Sequence, residues 1–225
     1  MTDFFRFPHT PHLCWLGKGS PRDDKVLSAS TADDLLSGEV VVEEKLDGAN
    51  LGISIGSSGQ LKAQNRGQYL QEPYAGQFSR LNSWLAQHQW ALKDHLSSNC
   101  ILFGEWCAAK HSLDYNCLPD WLMVFDVYDR HQRRFWSVQR RNELAQTLGI
   151  AHVPALYKGK ISPAKLNELL NATQSRYRSG PPEGLIIRED RHEWCVRRAK
   201  LVRAEFTQAI DDHWRGRSIE WNKIK

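Results

Sequence analysis

Cysteine is scarce in this chain and badly placed for cross-linking. Cys14, Cys100, Cys107, Cys117 and Cys195 are odd in number and far apart, with no CxxC pair among them. That argues against a structural zinc site and fits free thiols in a reducing compartment. Long apolar runs are missing too. Nothing approaches the ~18 apolar residues that suggest a membrane span. The N-terminal stretch MTDFFRFPHTPH meets Asp3, Arg6 and Pro8 at once, so it lacks the apolar region of a signal peptide. There is no internal repeat, low-complexity tract or long linker. These absences lead us to expect a cytoplasmic, non-membrane protein forming a single domain over residues 1–225.

What is present is ordinary for a globular chain, with 41% hydrophobic and 25% charged residues. The net charge of +4 permits a polyanionic partner without demanding one. Nine tryptophans are many for 225 residues. They suit a core, and some could be stacking platforms for bases.

Val40-Val41-Val42 predicts a strand over 39–45, Asp47-Gly48 a turn, and strands over 49–55 and 60–65 a continuing antiparallel meander. Phe78, Leu81, Leu85, His88, Leu92 and Leu96 recur at helical spacing and predict a helix over 77–96. Strands are expected at 100–106, 121–128, 184–188 and 194–202, and helices at 138–148, 163–177 and 204–214. For the helix at 163, Ser162 is the N-cap and Pro163 the first helical residue. A basic tail follows the last helix. Meanders mixed with helices define an α+β domain.

Lys45-Leu46-Asp47-Gly48-Ala49-Asn50 stands at a strand end. Alone, a KxDG is a weak pattern, and Lys45 could be a solvated lysine. Further segments follow in order: Asn65-Arg66-Gly67, Phe103-Gly104-Glu105, Val124-Phe125-Asp126-Val127-Tyr128, Glu183-Gly184-Leu185-Ile186-Ile187-Arg188 and Arg198-Ala199-Lys200-Leu201-Val202. This series resembles the motifs of the covalent nucleotidyltransferases, the superfamily of DNA ligases, RNA ligases and mRNA capping enzymes. Within it the chain looks most like the RNA ligases related to the nick-sealing phage enzyme, and Asn50, five residues after the lysine, supports that choice.

The resemblance implies an antiparallel-sheet-based adenylyltransferase domain (an ATP-grasp-like nucleotidyltransferase/ligase fold). It also implies ATP and Mg2+ or Mn2+ as cofactors, and RNA with 5′-phosphate and 3′-hydroxyl ends as partner, as in RNA repair. Lys45 would be the nucleophile that takes AMP. Such a lysine must lose a proton, and with a reference pKa of ~10.4 only ~0.04% is neutral at pH 7, a handicap of about 4.6 kcal/mol. Arg66, Lys200 and the metal are the cations expected to lower that pKa. The resemblance further implies that Glu105 binds the ribose hydroxyls, Glu183 the metal or its water shell, and Phe125 stacks on adenine. The backbone at Glu44 would meet adenine. Arg66 and Asn50 would contact phosphates and nucleic-acid ends, and Arg198 and Lys200 the α- or leaving phosphates.

Other readings stand beside these. Phe125 sits in an apolar run from Trp121 that also reads as a core strand. His9 and His12 lie three apart, but Pro8 and Pro11 preclude a regular helix, so capping or core roles are expected rather than metal binding. Arg130, Arg133, Arg134, Arg140 and Arg141 cluster with Phe135 and Trp136, as a polynucleotide-binding surface or a solvated basic face. Arg188, Arg191, Arg197, Arg198 and Arg203 are better substrate-contact candidates. The final motif has Arg198 where relatives carry lysine, and a shifted register would pair Lys200 with Val202 instead. Only 25 residues follow Lys200, too few for the OB-fold of DNA ligases and capping enzymes. A minimal catalytic domain without an OB-fold is therefore expected, with end recognition from a separate protein or from a pre-formed nick. The rival readings are a minimal DNA ligase, a guanylyltransferase, and a non-catalytic nucleic-acid-binding adaptor.

Overall fold

A computed structural model describes residues 4–19, 21, 25–208 and 218–225. Among them a nine-stranded antiparallel sheet runs in the order β3-β2-β4-β5-β6-β9-β8-β1-β7. Its strands are β1 (Val40–Lys45), β2 (Ala49–Ile55), β3 (Leu61–Gln64), β4 (Cys100–Trp106), β5 (Leu122–Asp129), β6 (Arg134–Trp136), β7 (Ala155–Gly159), β8 (Gly184–Arg191) and β9 (Trp194–Val202). The helices are α1 (Ala29–Leu36), α2 (Leu81–His95), α3 (Val138–Leu148), α4 (Pro163–Ala172) and α5 (Ala204–Gln208). No helix among the described residues is long and apolar enough to cross a membrane.

The helices divide between two parts of the sheet. Leu81, Trp84 and Leu92 of α2 and Ala145 and Leu148 of α3 share a core with Leu51, Ile53, Leu102, Leu122 and Val124. Leu35 and Leu36 of α1 and Leu166 and Leu170 of α4 share another with Val40, Val42, Leu185, Ile187 and Leu201. Local chemistry starts and stops these helices. Ser28, Ser137 and Ser162 each accept a hydrogen bond from the backbone N–H three residues on, and Gly149 ends α3 in the left-handed conformation at φ 65°.

The meander expected around Lys45 is corrected. β2 and β3 pair as a hairpin, but β1 pairs with β7 and β8 and never with β2. The chain crosses between distant strands at 46–48, because that segment is held from outside. Leu46 is buried in a cluster with Tyr115, Leu118 and Met123. The Asp47 carboxylate accepts from the N–H groups of Ser112 (2.7 Å) and Leu113 (2.8 Å), and the Asp47 N–H donates to the Tyr115 hydroxyl at 2.8 Å. A Cβ on Gly48 would lie 2.6 Å from the Trp106 carbonyl oxygen, so glycine is required by close backbone approach.

Smaller departures have local causes. The helix expected at 77–96 is a 3-10 turn, Gly76–Phe78, followed by α2. The helix expected at 163–177 ends at Ala172, where Thr173 is extended and its hydroxyl bonds the Leu169 carbonyl at 2.6 Å. α1, β6 and β7 were not anticipated: α1 buries only Leu35 and Leu36, and β6 is three residues long. Of the helix expected at 204–214, Ala204–Gln208 forms and 209–217 lie outside the described residues.

Arg141, grouped by sequence with the surface arginines, is wholly buried on α3. Its guanidinium grips Glu43 with two bonds, 2.6 and 3.3 Å, and donates to the Phe125 carbonyl at 2.7 Å. Breaking such a pair strands a charge in a low-dielectric interior. Arg141→Ala is expected to cost about 3–5 kcal/mol in urea unfolding. Glu43→Met with Arg141→Met should recover more than half of that loss, since removing both charges leaves neither stranded.

Candidate active site

Strands from both parts of the sheet, with the N-terminal segment, enclose a cleft of about 860 Å³ counted to its open mouth. Ten residues singled out from the sequence line it together: Glu44, Lys45, Asn50, Arg66, Glu105, Phe125, Glu183, Arg188, Arg198 and Lys200. They come from β1, β2, β4, β5, β8 and β9 and the loops beside them. Arg198 and Lys200 share one face of β9 and both reach the cleft, whereas Val202 is buried and does not line it.

Lys45 ends β1, and its Nζ donates to Glu183 Oε2 at 2.6 Å. The lysine side chain is 23% exposed and the glutamate 8%. Glu105 approaches from β4, where its Oε1 accepts from the Gly48 N–H at 3.1 Å. Burial pushes the carboxyls of Glu105 and Glu183 up to about 7 each, although the Lys45 charge pulls them down. Burial also disfavours the ammonium of Lys45, but Glu183 and Glu105 outweigh it and hold the amine above its usual range. The expectation that Arg66 and Lys200 depress the Lys45 pKa is therefore corrected. In the protein alone the charges that govern this amine are carboxylates, including Asp47.

Phe125 reaches the cleft through a bulge. Phe103 pairs with Asp126 and Gly104 with Val124, so Phe125 is one residue more than β4 can match. It is half-buried within an otherwise buried stretch, 122–128. Its carbonyl accepts from the guanidiniums of Arg141 (2.7 Å) and Arg188 (3.2 Å). Arg188 is 1% exposed, with Asp126 at 2.9 Å, so it lies at the cleft with its charge already matched. Arg198 is ion-paired to the same Asp126, and its guanidinium lies 4.6 Å from the Phe7 ring centroid and 4.0 Å from that of Phe135.

Several buried polar atoms around the cleft have no partner: Glu44 Oε1, Asn50 Oδ1 and Arg66 Nε. Unsatisfied buried polar atoms are uncommon, and here they converge on a space large enough for a ligand. Burial raises the Glu44 carboxyl above its usual range, partly offset by Ser175 and Arg176. Among the described residues no group of three or more His, Cys, Asp or Glu side chains could hold a metal ion. Glu183, a buried carboxyl beside Lys45, fits one protein ligand of a hard cation that brings its remaining oxygen ligands with it.

The sequence reading missed Phe7, His9 and Thr10, which form part of the cleft wall. The Lys200 N–H donates to the Pro11 carbonyl (2.9 Å) and the Leu13 N–H to the Lys200 carbonyl (2.7 Å), which lays this segment along β9. His9 is exposed at the cleft, so it is not a core residue, whereas His12 is buried against Trp15. No local pattern marks such residues, because their contacts are with strands far along the chain, from Phe103 of β4 to Arg198 of β9 for Phe7.

Residues 38–202 match the RNA ligase family, and the chain belongs to that family. Solved structures share its fold. An archaeal ATP-dependent RNA ligase has 20% identity and a TM-score of 0.64, covering 90% of this chain and 49% of its own. A Naegleria gruberi RNA ligase mutant with ATP and Mn has 16% identity and a TM-score of 0.65, covering 95% of this chain and 60% of its own. The same organism's ligase with PPi has 18% identity and a TM-score of 0.56, covering 82% and 54%. The chain thus spans about half the length of the structures it resembles. No curated protein matches it in sequence.

The carboxyl shifts set a pH dependence. A carboxyl that titrates near 7 when folded and 4.5 when unfolded binds more protons in the folded state between those values. Stability therefore falls as pH rises through that window and stays lower above it. In metal-free buffer, Glu105→Gln is expected to match the parent chain below pH 4.5 and to exceed it by on the order of 3 kcal/mol above pH 7 in urea unfolding.

Proposed function

We propose that this chain is an ATP-dependent RNA ligase domain working through a lysyl-AMP intermediate on Lys45. The observation that carries the reading is the convergence of Lys45, Glu105, Glu183, Arg198 and Lys200 on one cleft. In the first step the neutral Lys45 amine attacks the α-phosphorus of ATP, an N–P bond forms, and pyrophosphate leaves with the electrons of the broken P–O bond. The amine's proton leaves to solvent before the attack, and the 2.6 Å bond to Glu183 holds Nζ at the cleft. AMP then passes to an RNA 5′-phosphate, and a 3′-hydroxyl displaces it to give the phosphodiester. Each step is a transfer at phosphorus, where positioning and charge stabilisation do most of the work.

Glu183 would hold a divalent cation directly or through its waters. When bound, such a cation neutralises phosphate charge and offsets the carboxylates that keep Lys45 protonated. Lys200 and Arg66 supply positive charge along the phosphates. Phe125 offers a half-exposed ring for adenine, with the Glu44 carboxyl available to its polar edge. Glu105 is a ribose-hydroxyl acceptor in the same reading, and Asn50 a contact for nucleic-acid ends. Arg198 acts from its pairing with Asp126, and Arg188 holds Asp126 and the Phe125 carbonyl in place.

Incubating the protein with α-labelled ATP and Mg2+ or Mn2+, then denaturing it, should leave label on the wild type. Lys45→Ala should remove it and leave the unfolding midpoint within a few degrees. An unlabelled wild type under both metals would refute the reading. Glu183→Ala is expected to lower the labelling rate by about 10²-fold or more, with the metal dependence altered more than ATP binding.

A further inference from the structure

The arginines of the β5–β6 turn do not reach the cleft. β6 is only three residues long, and its side chains alternate. Phe135 points toward the cleft side, against Phe7 and the Arg198 guanidinium. Arg134 and Trp136 therefore take the opposite face, where Trp136 packs beside the α2–α3 core. Trp194 of β9 is directly opposite Trp136. The Arg140 guanidinium lies 3.7 Å from the Trp136 ring centroid and 5.1 Å from that of Trp194, and Arg134 lies 4.9 Å from Trp194. Two arginines and two tryptophans thus stack in one continuous array.

The array is partly exposed and short of counter-charge. Arg134 is exposed and has no carboxylate partner among the described residues, while Arg140 meets only Glu193, at 3.5 Å. Arg133 is exposed in the adjoining turn with φ 54°. A guanidinium stacked on an indole keeps its N–H edge in plane and available. The side chains are already ordered, so less entropy is lost when they bind a phosphate. Aromatic faces interleaved with guanidiniums short of counter-charge suit a nucleic-acid strand, which offers both phosphates and bases.

We infer that Arg134, Arg140 and Trp194 form an RNA-contact surface, separate from the cleft, that holds the RNA strand without reading its sequence. This rests on the RNA ligase reading for its choice of RNA. It places an RNA contact on the far side of the strand whose central ring supports Arg198.

The test uses the full chain and a 5′-phosphorylated RNA oligomer of about 16 nucleotides. Arg134→Ala with Arg140→Ala is compared with the parent for lysyl-AMP formation from ATP alone and for RNA binding across a salt series. Labelling is expected to stay within about twofold. RNA affinity should fall roughly tenfold at low salt, and the slope of log K against log salt should shrink by about 1.4, two phosphate contacts on a single strand. Should the double variant fold poorly, Arg134→Ala alone, at an exposed position, should give half the slope change. Unchanged affinity and slope with labelling intact would overturn the surface. A parent chain that binds RNA through this array but takes no label would leave the surface standing and remove the ligase reading.

Discussion

The short contact between Lys45 and Glu183 is the constraint around which the cleft is arranged. An ammonium and a carboxylate, both largely withdrawn from water, stabilise each other's charged form, while burial disfavours both. With Glu105 and Asp47 nearby, the acids outnumber the amine and keep the lysine protonated, while burial pushes the two glutamates toward neutrality. The protein alone is thus electrostatically unfinished. A cation and a nucleotide would shift that balance, and in the proposed reaction this readies the amine only when substrate is present.

Holding such a site requires strands whose backbone does not give way. Glu43, Arg141, Arg188, Asp126 and Arg198 form a set of buried or nearly buried charges beneath and beside the cleft, joined through Arg188, whose Nε lies 3.9 Å from Glu43. Two of the arginines also satisfy the Phe125 carbonyl at the β5 bulge, which lets one side chain of a core strand turn toward the ligand space. The network ties β1, β5, α3, β8 and β9 together at their polar atoms. Buried charge of this kind is weak evidence for stability and stronger evidence for a required geometry.

Much of this was legible without coordinates. Val40-Val41-Val42, the strand segments near 49–64 and the serine cap of α4 carry their structure in local propensity, which depends on neighbours only a few residues away. The cleft residues were legible for a different reason: their order along the chain resembled a known family. Arg141 shows where this fails. It reads as one more basic residue in an arginine-rich stretch, and only the tertiary partner Glu43, nearly a hundred positions earlier, makes it a core residue.

By itself the sequence determined the α+β class and most element positions, which follow from periodicity and capping, and its motif order singled out ten side chains that line one cleft. The tertiary structure alone decided that β1 turns away from β2 to lie beside β8, that Phe7 and His9 join the cleft, and that the Lys45 amine is governed by acids rather than by the cations nearest in the motif order. Strand pairing across the sheet and the local field at a buried amine are sums over distant residues, and neither can be read from spacing along the chain.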